Sequence, residues 1–268
     1  FREMRRPDGP WFPPHGSRSF LRPAGLYGTM LRKAAPFAAR GVLWYQGESD
    51  VSHAGTYRKL LGRMIAEWRT LFRDPGLPFL LVQLASFAGG NPDGEDWAVL
   101  REAQGQVADE VPGVAMAVCL DFGDAADIHP RHKRPVGERL ALCALRRIFG
   151  QGGEDSGPVP GSWVREGDRL LLSFSHAGYG LHQRGLALSG FSWKLTNGGT
   201  RPAEASLAGD RVAVVLPGEA EPAELRYGWS NVFVPTLYNG RGLPASPFRI
   251  RMGAGSEGMG TDREMPRI

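Results

Sequence analysis

The densest run of chemically capable side chains is Gln46, Glu48, Ser49 and Asp50, in the stretch Gly41-Val-Leu-Trp-Tyr-Gln-Gly-Glu-Ser-Asp50. An amide, two carboxylates and a hydroxyl follow directly on a continuous apolar run, Val42 to Tyr45. Such a run predicts a parallel strand covered on both faces. Ligands of open α/β sheets bind outside the carboxyl ends of the strands, so the polar cluster reads as half of an active site. The second group is Asp121-Phe-Gly-Asp-Ala-Ala-Asp-Ile-His129-Pro-Arg-His-Lys133. A histidine preceded by nearby carboxylates, at the same edge of a sheet, is the base-and-orienter half of a nucleophilic triad. The imidazole takes a proton from a weak nucleophile, and a carboxylate fixes its tautomer and stabilises the imidazolium. The competing reading is a surface loop with a charge-paired histidine.

The elements that must position these groups alternate along the chain. Leu26 to Ala39 reads as a short amphipathic helix leading into the first strand. Tyr57, Leu60, Leu61, Met64, Ile65, Trp68, Leu71 and Phe72 recur at helical spacing. Asp74-Pro75-Gly76 ends that helix, and Phe79 to Leu84 is a second buried strand. A glycine-rich loop, Phe87 to Asp96, precedes a helix with Trp97, Leu100 and Val107. Val114 to Leu120 is a third strand, and a last helix from about Arg134 carries Val136, Leu140, Cys143, Ala144 and Ile148 on one face. This alternation predicts a parallel sheet with helices on both sides. Three strands are few for such a sheet, so further strands are expected upstream of Phe1.

After Gly150 the pattern changes to a Gly/Pro/Ser linker, residues 151–161, and then to short strands. These are Arg169 to Ser175, Leu186 to Leu195, Arg211 to Leu216, Glu224 to Tyr227 and Val232 to Leu237, a small antiparallel domain over residues 162–252. Phe1 to Pro23 reads as a surface loop or insertion, and residues 253–268 as a disordered tail.

The net charge of +4 and isoelectric point near 9.3 come from scattered arginine, with lysine only at 33, 59, 133 and 194. Nucleic-acid binding would need these charges clustered with interleaved aromatics, and no such run exists. No apolar stretch approaches the roughly 18 residues of a membrane span. Cys119 and Cys143, in apolar surroundings, read as core residues rather than a disulfide. His15, His53, His132, His176 and His182 lack metal-ligand spacing, so no metal or other cofactor is expected. The chain begins at Phe1 without an initiator Met and reads as the later portion of a longer protein.

The opening stretch, Asp127-Ile-His129-Pro and Lys133-x-x-x-Gly137-x-Arg139-Leu140-Ala141 together resemble the sialate O-acetylesterase family of the SGNH-hydrolase superfamily. Leu26-Tyr27, Leu100-Arg-Glu-Ala-Gln104, Tyr227-Gly-Trp-Ser-Asn231, Leu237-Tyr-Asn239 and Gly242-Leu-Pro-Ala-Ser-Pro-Phe248 extend the match, in order, from about Gly25 to Arg251. The resemblance implies a flavodoxin-like α/β fold, with residues 1–150 its C-terminal part. It implies a serine esterase that removes acetyl groups from sugar hydroxyls, most typically of 9-O-acetylated sialic acid, in a secreted, periplasmic or lysosomal setting. Carried over, His129 is general base and then acid, Gln46 an amide of the oxyanion hole, and Glu48 a support for that loop. Arg101 and Glu102 line or brace the same edge, and Glu48, Arg101 and Glu102 are the expected substrate-binding residues.

Two departures accompany the match. The position three residues before His129 is Ala126, which leaves Asp127, favoured by its motif, or Asp124 as orienter. No nucleophile elbow G-x-S-x-G and no Gly-Asp-Ser is present, since Gly123-Asp124 is followed by Ala125. The nucleophilic serine is therefore expected upstream of this chain, on a segment that could also be a separate chain. The alternative readings are a glycan-binding module without catalysis and an esterase acting on acetylated xylan or other acetylated glycans.

Overall fold

The computed structural model describes residues 24–252; the predicted loop Phe1–Pro23, His15 and the predicted tail lie outside the described residues. A three-stranded parallel sheet comes first, in the order β1 (Val42–Trp44), β2 (Phe79–Val82), β3 (Val114–Ala117). The register pairs Val42 with Phe79 and Phe79 with Val114, so the three carboxyl ends finish level with one another. In β2 all four side chains are at most 1% exposed, as its unbroken apolar run predicts for the central strand.

Helices cover both faces. On one side α2 (Ala54–Phe72) and α3 (Asp96–Glu110) pack Tyr57, Leu61, Ile65, Trp97, Leu100 and Val107 against Phe79, Leu81 and Val114. On the other, α4 (Lys133–Arg147) packs Val136 and Cys143 against Leu80, Val82, Ala115 and Ala117. The helix α2 stops at Arg73 in the left-handed conformation (φ 57°), and Asp74 Oδ1 accepts the Gly76 N–H to complete the predicted turn. None of these helices is long and apolar enough to cross a membrane.

The segment before β1 differs from expectation. A π-helical turn, Tyr27–Leu31, runs into a single helical turn, α1 (Arg32–Ala34), and the apolar residues Leu26, Met30 and Phe37 stay exposed. The strand β1 is not covered on both faces either, because it lies at the sheet edge and leaves Leu43 66% exposed. Sequence periodicity registers apolar content but not whether a neighbour is present to cover it.

Residues 159–251 build two four-stranded antiparallel sheets packed face to face. One has the order β4 (Val159–Glu166), β5 (Arg169–Ser175), β10 (Arg211–Val215), β9 (Ala205–Ala208). The other has the order β13 (Phe248–Arg251), β11 (Pro222–Tyr227), β7 (Phe191–Leu195), β8 (Thr200–Pro202). Alternate residues of both, among them Leu170, Leu172, Val212, Val214, Trp193 and Leu225, fill one shared core. A two-stranded ribbon, β12 (Leu237–Asn239) with β6 (Leu181–Gln183), completes the half. The predicted linker 151–161 thus already contains the start of β4. The predicted strand Leu186–Leu195 begins only at Phe191, and of the predicted strand Val232–Leu237 residues 232–236 are a loop, Leu237 alone being strand as the start of β12. That loop is held instead by backbone bonds across the molecule, Asn231 N–H to Gly94 O (2.6 Å) and Val232 N–H to Pro92 O (3.1 Å).

Candidate active site

Three loops leave the level carboxyl ends of the parallel sheet: Tyr45 to His53, Gln83 to Ala88, and Val118 to Lys133. They carry the candidate groups.

The first loop turns at Gly47, whose φ of +146° is open to glycine and strained for any other residue. A Cβ there would also stand 2.9 Å from Leu100 Cδ2. Gly47→Ala is expected to destabilise the fold by about 2 kcal/mol or more, read as a lowered midpoint in chemical denaturation. A change below about 0.5 kcal/mol would show the turn to be unstrained.

Gln46 is held from several directions. Its Nε2 donates to Asp50 Oδ2 at 2.6 Å, and the Tyr57 hydroxyl donates to its Oε1 at 3.2 Å and its backbone carbonyl at 3.0 Å. The buried Gln104 donates from Nε2 to the same carbonyl (3.2 Å) and to Val82 O (3.3 Å), and accepts the Leu84 N–H at Oε1 (2.9 Å). Among the described residues the Gln46 amide thus keeps one N–H uncommitted while its orientation is fixed. Asp50 and Tyr57, not Glu48, do the holding. Glu48 opens the turn Glu48–His53 and acts on Tyr45, whose phenol is pushed up to about 12 by burial and by the charges of Cys119 and Glu48. Lys133 Nζ sits 4.8 Å above the same Tyr45 ring. Tyr57 and Gln104 were not predicted as site residues, although each is a polar residue on a helix stripe that is otherwise apolar. Because a neutral hydrogen bond contributes about 1 kcal/mol, Tyr57→Phe is expected to lower kcat about fivefold at unchanged KM if Gln46 stabilises an oxyanion. An unchanged kcat would remove Tyr57 from the site.

In the third loop, His129 is exposed at the end of two consecutive Asx turns. Asp124 Oδ1 accepts the Ala126 N–H and Asp127 Oδ1 accepts the His129 N–H, each at 2.8 Å. Both candidate orienting carboxylates are therefore engaged with backbone. Among the described residues the His129 ring makes no hydrogen bond or ion pair. Asp121, at the start of the loop, forms a two-pronged pair with Arg139 at 2.6 and 2.7 Å. Burial opposes the Arg139 charge, but the bonded Asp121 carboxylate outweighs it and raises the guanidinium above its usual pKa. Burial pushes the Cys119 thiol up to about 11 and that of Cys143 up to about 12, so neither supplies a thiolate at neutral pH.

Of the two expectations for Arg101 and Glu102, lining or bracing the edge, their contacts are those of braces. Arg101 is fully buried, and its guanidinium donates to four carbonyls: Leu84 (2.8 Å), Ala85 (2.9 Å), Ser230 (2.8 Å) and Asn231 (2.9 Å). Burial lowers its pKa to about 9, which leaves it cationic at neutral pH. Both carboxylate oxygens of Glu102 are taken by Arg249, at 2.8 Å each. These two residues join the parallel and antiparallel halves. Asn231 adds to the joint by capping α3, its Oδ1 accepting the Trp97 N–H at 3.0 Å.

An open cavity of about 200 Å³ lies between β1 and α2, lined by Trp44, Gln46, Asp50, Tyr57, Leu60 and Met64.

A family model described as a sialic acid-specific acetylesterase among the carbohydrate esterases matches residues 15–146. Mouse and human sialate O-acetylesterases are 31% and 30% identical over 153 residues, half of this chain, which spans 28% and 29% of their lengths. The crystal structure of a carbohydrate acetylesterase from Xanthomonas citri superposes with a TM-score of 0.79 at 40% identity. That likeness takes in 85% of this chain and 54% of the bacterial one.

Proposed function

Because the chain belongs to the sialic acid-specific acetylesterase family of carbohydrate esterases, we propose that it supplies the base and oxyanion side of an acetyl esterase acting on O-acetylated sugars. The observation that carries this reading is an oriented amide after β1 and an imidazole after β3 at one edge of the sheet. Two strand spacings separate those strands, about 10 Å. An ester held with its oxyanion donor and its base each about 3 Å from the reacting atoms needs a span of that order.

In the proposed reaction a serine hydroxyl attacks the acetyl carbonyl while His129 takes its proton. The Gln46 amide donates to the developing oxyanion. His129 then returns the proton to the sugar oxygen, and water repeats the sequence on the acetyl-enzyme. Asp127 positions His129 through its backbone, and Glu48 lies beside Tyr45 at the same edge. Arg101 and Glu102 act at the joint.

The attacking serine is proposed to lie in polypeptide upstream of Phe1. Ser49 is the wrong choice because it follows the oxyanion amide on its own turn. Ser86 is buried with its hydroxyl committed to Phe233 O at 2.6 Å. Among the described residues no strand pairs with the outer edge of β1, whose Leu43 is 66% exposed, and this supports a further strand pairing there. O-Acetylated sialic acid is the proposed substrate, in keeping with the family description. The test is acetate release from 9-O-acetylated sialic acid and from acetylated xylan, by the upstream-extended protein and by residues 1–268 alone. Activity on the sialate ester by the extended protein alone is expected. Preference for xylan would reassign the substrate, and glycan binding without turnover would make the protein a binding module.

A further inference from the structure

We propose that the antiparallel half is part of the apparatus that positions His129, with Ser86 as the positioning residue that links the two. This rests on the acetylesterase reading of His129. Ser86 follows β2 and is 5% exposed. Its Oγ donates to Phe233 O at 2.6 Å and accepts the Phe233 N–H at 3.1 Å, so both capacities are used on one residue of the antiparallel half. On its other side Gly123 lies so close that a Cβ there would overlap the Ser86 backbone. Two residues further along each chain, Ala88 N–H donates to Ala125 O at 3.0 Å.

From Ala125 only the two Asx turns intervene before His129. The base therefore sits on a turn-built loop that is laid against the segment 84–88, with Ile128 packed on the core beside it. That segment has its own anchor on the far side, where Arg101 gathers the carbonyls of Leu84 and Ala85 with those of Ser230 and Asn231. Residues 230–233 are thus the floor under the His129 loop. A displacement of about 1 Å in a catalytic group can lower a rate about 100-fold, so such a floor bears directly on turnover.

A joint that only held the halves together would behave differently. Gln83 Nε2 donates to Ser246 Oγ at 2.7 Å, a cross-joint bond of the same kind made three residues before Ser86, outside the segment 84–88 laid against the His129 loop. The test compares Ser86→Ala, the milder Ser86→Cys, and Ser246→Ala in residues 1–268 by amide hydrogen exchange. The two Ser86 variants are expected to speed exchange at Ala88, Ala126 and His129 about tenfold, and Ser246→Ala to leave those amides unchanged. In the upstream-extended protein Ser86→Ala is expected to lower kcat about tenfold at unchanged KM. Unchanged exchange in folded Ser86→Cys, or equal acceleration by Ser246→Ala, would overturn the proposal. Faster exchange in a protein that hydrolyses no acetyl ester would leave the floor standing and sink the acetylesterase reading.

Discussion

Replacing His129 with alanine is expected to lower kcat for acetyl-ester hydrolysis by the upstream-extended protein about 1000-fold or more, with KM little changed. The loss follows from the role. A serine hydroxyl is a poor nucleophile until a base removes its proton, and the sugar oxygen is a poor leaving group until an acid protonates it. His129 stands on the loop that emerges from β3 at the carboxyl edge, with Asp121, Asp124 and Asp127 before it. His176, by contrast, pairs with Glu154 at 2.9 Å on the antiparallel half. Since His129 is exposed and its side chain bears no part of the core, the variant should keep the wild-type unfolding midpoint. Asp127 refines the result. Its carboxylate accepts the His129 N–H, which asparagine can also do, so Asp127→Asn is expected to lose less activity than Asp127→Ala. Equal losses would mean that the Asp127 charge acts on the ring itself. Retention of wild-type kcat in His129→Ala would remove the assigned base.

The largest effect on stability is expected at Arg101. Substitution by methionine preserves bulk but strips the carbonyls of Leu84, Ala85 and Ser230 of their donor and leaves that of Asn231 only the Phe87 N–H at 3.4 Å. An orphaned buried acceptor costs about 1 kcal/mol or more, so a loss of about 3 kcal/mol is expected in denaturation of residues 1–268. Lysine is not a rescue, because an ammonium has three donors without the planar fork that reaches two chain segments at once. A change below about 1 kcal/mol would show that water or backbone shifts satisfy those carbonyls.

Much of the parallel half was legible in the sequence because its signals are local. The α2 stripe from Tyr57 to Phe72, the unbroken run Phe79–Val82 and the turn Asp74-Pro-Gly76 each declare themselves within a few residues. The antiparallel half was less legible. The short strands β6 and β8, and β4 starting at Val159, lie among Gly, Pro and Ser that read as loop. Their strand character comes from pairing partners distant in sequence. The candidate site divides in the same way. Gln46 and His129 were singled out because their residue types follow strand ends. Arg101 was placed at the site because its motif adjoins the right edge, but a helix position does not reveal which way a guanidinium is drawn. Here that is decided by carbonyls 129 and 130 residues away, at Ser230 and Asn231. Tyr57 and Gln104 escaped notice for a related reason, since a polar residue on a buried stripe looks like tolerated noise until its acceptor is known.

The proposed division of labour between this chain and upstream polypeptide is tested most directly by trapping the nucleophile. The upstream-extended protein would be treated with a serine-reactive fluorophosphonate and the modified peptide located by mass spectrometry. Modification at a single serine upstream of Phe1, abolished in His129→Ala and absent from residues 1–268 alone, is the expected result. Modification at Ser49 or any other serine between residues 24 and 252 would contradict it.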